Sequence, residues 1–188
     1  MNGLSYQQRI RLMSILKEVG VIKFGNFTLK DGSNSEIYID MRILPNYPEE
    51  FAETIDLASD YLGNAGILNN TDGFIAPPLA GVPLATALSL SLHKPYFLAR
   101  MEPKTYGTKK QIEGNITAKT MLVIDDVITS GGSKQPIIKA IRDQGGFVDY
   151  IFVFVNRMKS NEELADFEAK NSIKVLFMLS LEMMAGLR

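Results

Sequence analysis

The sequence contains no cysteine, and His93 is its only histidine. The absence of cysteine excludes disulfide bonds, thiolate metal sites and cysteine nucleophiles. A single histidine excludes zinc or iron sites that require several imidazole ligands. The chain must therefore act without thiol chemistry and without a multi-histidine metal centre.

Long apolar runs and a strong excess of one charge are also absent. No run approaches the length of a membrane span, and the N-terminal residues MNGLSYQQRIRLMSILKEVG lack the features of a secretory signal. The net charge of −1 gives no indication of a nucleic-acid or membrane partner. We therefore expect a cytoplasmic protein that binds neither nucleic acid nor membrane.

The apolar pattern predicts an α/β fold. Short, nearly continuous apolar runs recur after about residue 70 with helical stretches between most of them; these runs are GFIA, PYFLA, TMLVID, DYIFVFV and KVLFML. Such runs are typical of a parallel sheet that is covered on both faces. We expect a single domain over residues 1–188, with the α/β core at about 70–188 and helices at about 5–19 and 48–62.

Two segments depart from this alternation. Between about residues 20 and 42, Gly25-Asn26 and Asp31-Gly32 separate short alternating runs, which predicts small antiparallel strands. Residues 101–120 separate two strands without a clear helix and contain four lysines. A loop of this length inside a compact domain is usually functional or disordered.

The most informative stretch is MLVIDDVITSGGSKQPIIKAIRDQGG, residues 121–146. Asp125 and Asp126 fall at the carboxyl end of a predicted buried strand, which is where open parallel sheets bind ligands. The turn that follows offers hydroxyls and backbone N–H groups ahead of a predicted helix, and this arrangement favours phosphate. Paired carboxylates suit vicinal hydroxyls or a hydrated magnesium ion. A ribose phosphate would satisfy both features.

Two other interpretations of the acid pair need consideration. The pair could cap a turn, with Asp126 accepting hydrogen bonds from nearby backbone N–H groups. It could also be the acidic strand end of a P-loop nucleotide hydrolase. That class requires a G-x-x-x-x-G-K-[ST] run, which is absent, as are G-x-G-x-x-G and G-x-S-x-G. The combination of strand, acids, loop and helix favours a functional site.

The run VIDDVITSGGS resembles the PRPP motif of the type I phosphoribosyltransferases, where PRPP is 5-phosphoribosyl 1-pyrophosphate. In that family the two acids hold the ribose 2- and 3-hydroxyls, and the loop wraps the 5-phosphate. The resemblance implies a central parallel sheet flanked by helices with a small N-terminal antiparallel hood. The PRPP site that it implies comprises Asp125, Asp126, Val127, Ile128, Thr129, Ser130, Gly131, Gly132, Ser133, Arg100, Lys104 and Tyr106.

Three further segments are similar to the orotate phosphoribosyltransferases; they are KFGNFTLKDGSNSEIYIDMR, ARMEPKTYGTKKQIEG and VFVNR. They resemble, in order, the family's hood, its mobile catalytic loop (here 101–115) and the strand end whose arginine contacts orotate. A guanidinium fork pairs well with the carboxylate of orotate. The resemblance implies orotate contacts from Lys30, Tyr38, Thr129 and Arg157, and catalytic roles for Lys30, Arg100 and Lys104.

The resemblance also implies a reaction and partners. A member of this family transfers the 5-phosphoribosyl group from PRPP to orotate in UMP biosynthesis. Magnesium is held through PRPP, with no direct protein ligand. The enzyme acts as a homodimer in which the mobile loop serves the neighbouring subunit. A purine phosphoribosyltransferase and a non-catalytic PRPP-binding regulator remain as alternatives.

Two positions depart from the family pattern. Met101 stands where the loop of related sequences usually has lysine, and Ala80, within APPLAGVPLA, stands where lysine is frequent. Each substitution leaves one possible pyrophosphate contact without a cation. Lys109 and Lys110 are candidates to compensate.

Overall fold

The computed structural model describes residues 3–28, 32, 34–101 and 111–186 of the 188-residue chain. The helices are α1 (Tyr6–Glu18), α2 (Pro48–Asn64), α3 (Gly81–Leu92), α4 (Gln135–Asp143), α5 (Asn161–Asn171) and α6 (Leu181–Gly186). The strands are β1 (Ile22–Thr28), β2 (Asn34–Ile39), β3 (Gly73–Ala76), β4 (Tyr96–Leu98), β5 (Thr120–Ile128), β6 (Phe147–Asn156) and β7 (Lys174–Ser180). Two short 3-10 helices lie at Met41–Asn46 and Leu68–Asn70.

Five of the strands form one parallel sheet in the order β4-β3-β5-β6-β7. The order places β5, which carries the acid pair, in the centre between β3 and β6. The carboxyl ends of these three strands therefore meet at one edge of the sheet. This edge is where a doubly covered parallel sheet presents its ligand site.

Both faces of this sheet are covered, and the central strands alternate between them. Leu122 and Ile124 of β5 pack into one apolar cluster with α1, α2 and α3, whereas Met121 and Val123 pack into a second cluster with α4 and α5. Burial on both faces explains why the strands read as continuous apolar runs instead of alternating ones. The prediction of an α/β core with a doubly covered parallel sheet is confirmed.

The N-terminal antiparallel pair, here called the hood (β1 and β2), also matches the sequence prediction. Its register shifts between Phe24 and Phe27, which marks a bulge in β1. Ile22, Ile37 and Ile39 join the same apolar cluster as α1 and α2. The hood is thereby packed against the body of the protein.

Local sequence signals set the helix starts. Ser5 caps α1 by accepting from the Gln8 backbone N–H, and the Gln8 side chain accepts from the Ser5 N–H in return. This reciprocal pair is a capping box. Helix α2 begins at Pro48, with Glu49 and Glu50 in its first turn, where carboxylates suit the helix dipole.

Three short elements were not predicted from the sequence, namely the two 3-10 helices and α6. Asp40 caps the 3-10 helix Met41–Asn46 by accepting from the Arg42 N–H. Helix α6 follows β7 directly. None of the helices that the structure describes has the length and apolar character needed to cross a membrane.

Candidate functional site

A cleft of about 390 Å³ lies at the carboxyl edge of the parallel sheet. Its walls come from the segment after β3, the end of β5, the loop that leads into α4 and the 3-10 helix after the hood. The lining residues are Arg42, Pro77, Pro78, Leu79, Ala80, Asp125, Asp126, Val127, Thr129, Ser133 and Lys134. The acid pair and the loop predicted to bind phosphate therefore lie on one wall of this cleft.

Asp125 is the buried member of the acid pair, with only 5% of its surface exposed. Its Oδ2 lies 2.6 Å from Lys134 Nζ, and Lys134 is itself 4% exposed. Its Oδ1 accepts the Asp126 backbone N–H at 2.9 Å. Both carboxylate oxygens of Asp125 are thus held by the protein.

Lys134 connects the strand to the phosphate loop. Its ammonium donates to the Val127 carbonyl at 2.6 Å and to Ser133 Oγ at 3.0 Å, in addition to its contact with Asp125. An ammonium has three N–H donors, so these three partners match its full capacity. A buried charge of this kind is tolerated because its counter-ion and hydrogen bonds are all present. Sequence reasoning placed Lys134 only at a helix start, because its contact with Asp125 is a tertiary one.

Asp126 is less buried than Asp125 and opens toward the cleft. Its Oδ1 accepts the Val127 backbone N–H at 2.7 Å, so the turn-capping interpretation is also correct at this residue. Burial, and then repulsion from the Asp125 carboxylate, raises the pKa of Asp126 to about 6. Asp126 is consequently an acid whose charge changes just below neutral pH.

The loop between β5 and α4 requires glycine at its centre. Gly131 has φ +75°, and a Cβ there would lie 2.0 Å from Cε2 of Phe167 in α5. The Gly131 carbonyl accepts the Lys134 N–H at 3.0 Å, which closes the turn immediately before α4. The loop is thereby pressed between α5 and the strand end, with Thr129 and Ser133 lining the cleft. The helix α4 begins just beyond it, and a helix N-terminus favours an anion.

The opposite wall is the segment Pro77–Ala80 and the start of α3. A Cβ on Gly81 would lie 2.8 Å from the Ile124 carbonyl oxygen and 2.9 Å from Asp125 Oδ1, so α3 approaches the acid as closely as its backbone allows. Ala80 is the N-cap of α3 and contributes only a methyl group to the cleft. Ala80 itself therefore supplies no cation at the position where related sequences frequently have lysine.

Arg42 is a cleft residue that sequence reasoning missed. It lies in the 3-10 helix Met41–Asn46, and its Nε and Nη2 donate to Asp40 at 2.6 and 2.8 Å. Its pKa is raised by these hydrogen bonds and, more weakly, by the charge of Asp126. No local motif indicates its place in the site, because Arg42 and Asp126 are far apart in the chain.

Arg157 and Tyr38 lie where the hood meets the sheet. The Arg157 N–H donates to the Ile128 carbonyl at 2.8 Å, and Arg157 Nη2 lies 3.4 Å from both Ser35 Oγ and the Ile37 carbonyl oxygen of β2. The Tyr38 ring lies 5.4 Å from that of Phe27. Neither Arg157 nor Tyr38 lines the 390 Å³ cleft. The structure brings Arg157 to the hood, beside the cleft.

The base of the segment 101–115 is firmly attached. Arg100 pairs with Glu113 at 3.1 Å, and its backbone N–H donates to Gln111. The Gln144 side chain accepts from the Ile112 N–H at 3.1 Å and donates to its carbonyl at 3.3 Å. Met101 is exposed at this base. Five of the predicted or compensating site residues lie outside the described residues, namely Lys30, Lys104, Tyr106, Lys109 and Lys110.

Comparison with known proteins identifies the family. A family model described as "Phosphoribosyl transferase domain" matches residues 42–175. The orotate phosphoribosyltransferase of Methanosphaera stadtmanae is 40% identical over 81% of this chain and 84% of its own. That of Methanopyrus kandleri is 32% identical over 96% of this chain and 93% of its own. The chain belongs to the orotate phosphoribosyltransferase family.

A solved structure of a family member supports the same assignment. Orotate phosphoribosyltransferase from Aeropyrum pernix superposes with a TM-score of 0.80 at 30% identity. The match covers 93% of this chain and 96% of the other. As an orotate phosphoribosyltransferase family member, the chain is a phosphoribosyltransferase enzyme with the type I fold.

The buried Asp125–Lys134 pair yields a stability prediction. Lys134→Met leaves a buried carboxylate without its counter-ion, and breaking a pair in this way costs about 3–5 kcal/mol of unfolding free energy. The double variant Asp125→Asn/Lys134→Met carries neither charge and should recover much of that loss. Urea unfolding of the single and double variants measures both effects. A Lys134→Met protein as stable as the wild type would show that the pair is not a structural anchor.

Proposed function

We propose that this protein transfers the 5-phosphoribosyl group of PRPP to N1 of orotate, releasing pyrophosphate and forming orotidine 5'-monophosphate. The observation that carries the proposal is the shared wall of the cleft, where Asp125, Asp126, Thr129 and Ser133 lie together at the end of β5. Groups that bind anions lie there beside carboxylates that accept hydrogen bonds from hydroxyls. This is the arrangement that a ribose 5-phosphate needs.

The 5-phosphate is assigned to the loop ahead of α4. Thr129, Ser130 and Ser133 supply hydroxyls, while Gly131 and Gly132 let the backbone come close to the ligand. Val127 and Ile128 belong to the same run and fix the strand end from which the loop departs. The ribose hydroxyls are assigned to the acid pair. Asp126 is the more open of the two carboxylates.

The orotate base is assigned to the junction of hood and sheet. Arg157 would pair with the carboxylate of orotate, and Tyr38 would lie against the ring. The position of Arg157 at the end of β6, next to β2, supports this assignment. Lys30 and Thr129 complete the proposed contacts. A base held here would stand next to a ribose held by Asp126.

The segment 101–115 is assigned to catalysis. Arg100 and Lys104 would neutralise the pyrophosphate as it departs from an oxocarbenium-like transition state, and the Tyr106 hydroxyl would donate a hydrogen bond to it. We further propose a homodimer in which this segment serves the neighbouring subunit's site, and a cytoplasmic location. The described base of the segment is held by the Arg100–Glu113 pair and by Gln144, which accepts from the Ile112 backbone N–H.

Magnesium is proposed as the cofactor, held mainly by PRPP. The acid pair fits such an ion, because its carboxylates can accept hydrogen bonds from water molecules bound to the ion. Within the described ranges, no group of three or more acidic or histidine side chains forms a protein cage. When bound, the ion supplies charge neutralisation on the pyrophosphate. Asp125 and Asp126 would orient the ribose.

The direct test is an assay with PRPP, magnesium and a panel of bases. Loss of orotate absorbance with equimolar release of pyrophosphate is expected, and uracil, hypoxanthine and adenine should not react. Turnover of a purine base would overturn the orotate assignment. PRPP binding without turnover of any base would identify a regulator instead of an enzyme.

A pH dependence follows from Asp126, whose pKa is raised to about 6 by burial and by Asp125. The ionised carboxylate accepts hydroxyls better than the acid, so kcat/KM for PRPP should rise as pH increases through 6 and level off above it. PRPP titrates in the same range, because the second pKa of a phosphate monoester is about 6.

Asp126→Asn corrects for this overlap, since it retains the titration of the substrate alone. The ratio of wild-type to Asp126→Asn kcat/KM should rise through pH 6. A ratio that stays constant between about pH 5 and 8 would show that ionisation of Asp126 does not control kcat/KM.

Arg157 tests the base site. Arg157→Ala should raise KM for orotate by roughly 10- to 100-fold, since a charge-assisted contact is lost, while PRPP binding is retained. Arg142→Ala is a matched control, because the Arg142 guanidinium contacts the Asn171 carbonyl at 2.6 Å on another face of the protein. Steady-state kinetics with each substrate varied in turn separates the two effects. An unchanged orotate rate in Arg157→Ala would contradict the assignment.

A further inference from the structure

The cations of the cleft are few, and they are not equivalent. Among the described residues that line it, the positively charged ones are Arg42 and Lys134. PRPP brings several negative charges, and its pyrophosphate must be met by groups other than the 5-phosphate loop. The Ala80 methyl group cannot serve this purpose.

Lys134 is already committed to the protein. Its three donors point at Asp125, at the Val127 carbonyl and at Ser133, and its side chain is only 5% exposed. Transferring it to a ligand would leave Asp125 buried without a counter-ion, which is costly. Lys134 is therefore poorly suited to bind the pyrophosphate.

Arg42 has the opposite properties. Its side chain is 63% exposed, and its two hydrogen bonds to Asp40 use two of the five N–H donors of a guanidinium. Asp40 also accepts the Arg42 backbone N–H at 3.2 Å, so the carboxylate orients the arginine without covering it. The remaining donors are available to a second anion, and guanidinium groups bind phosphates through a planar fork.

The position of Arg42 indicates which part of the ligand it would meet. It lines the same cleft as Pro77–Ala80, the segment after β3, and as the phosphate loop, which follows the neighbouring strand β5. Asp126 lines the same cleft, and its charge adds a small contribution to the raised pKa of Arg42. Because the loop is assigned to the 5-phosphate, the pyrophosphate is the anionic part of PRPP that remains for Arg42.

We propose that Arg42 is a pyrophosphate-binding residue of this cleft, oriented by Asp40 and supplying the cation that Ala80 does not. The inference rests on the proposed function, because it assumes that PRPP occupies the cleft. It assigns the arginine from the 3-10 helix after the hood to the departing group. The hood would then contribute to the pyrophosphate end of the site as well as to the base.

The test measures binding of three ligands by calorimetry with magnesium present: pyrophosphate, PRPP and ribose 5-phosphate. Arg42→Gln should weaken pyrophosphate and PRPP by roughly 10- to 100-fold, the range for loss of a charged hydrogen-bond partner. Ribose 5-phosphate lacks the pyrophosphate, so its affinity should change by less than about twofold. Arg42→Lys keeps the charge but loses the fork, and should lie between wild type and Arg42→Gln.

Arg11→Gln is the matched control. Arg11 forms the same kind of two-bond pair, with Glu53 at 2.6 Å for each bond, and is 51% exposed on the surface between α1 and α2. All three affinities should stay within about twofold of the wild type, as expected for an exposed pair remote from a site. Thermal unfolding of the variants checks that each is folded.

The outcomes separate this inference from the proposed function. Wild-type binding of all three ligands with an unchanged pyrophosphate affinity in Arg42→Gln would overturn the role of Arg42 alone. Equal weakening of ribose 5-phosphate and pyrophosphate in Arg42→Gln would also overturn it, because the effect would then be a general distortion of the cleft. A wild-type protein that binds neither PRPP nor ribose 5-phosphate would overturn both proposals.

Discussion

The buried ion pair between Asp125 and Lys134 is the interaction on which the rest of the site depends. It ties the end of the central strand to the first residue before α4, and the phosphate loop lies between these two points. The same ammonium holds the Val127 carbonyl and Ser133. The loop is rich in glycine and hydroxyl-bearing residues and would otherwise be flexible. The ion pair fixes its conformation before a ligand binds.

This pair also makes the two adjacent acids different. Asp125 is fixed by Lys134 and by the backbone of its neighbour, and α3 packs directly against it at Gly81. Asp126 lines the cleft, and burial, followed by repulsion from the Asp125 carboxylate, raises its pKa to about 6. Asp125 thus has a second, structural role as the anchor of the strand end, whereas Asp126 is the more open of the two carboxylates. Placing two acids in different environments is a common way for an active site to give them different roles.

Much of the fold followed from the sequence, because its signals were local. The apolar runs, Pro48 at the start of α2 and the turn residues Gly131 and Gly132 each report on their own neighbourhood. Arg42 and Lys134 could not be assigned in this way. Each acts through a contact that exists only after folding: Arg42 faces a strand far along the chain, and Lys134 turns back onto the strand that precedes it. The roles of Lys30 and Lys104, outside the described residues, remain predictions.

The central claim is that a preformed cleft at the end of β5 receives PRPP without breaking the Asp125–Lys134 pair. A crystal structure with PRPP and magnesium tests it most directly. The account predicts the 5-phosphate in the Thr129–Ser133 loop, the ribose hydroxyls at Asp126, and Lys134 still on Asp125. PRPP bound elsewhere, or Lys134 transferred from Asp125 to a phosphate oxygen, would contradict it.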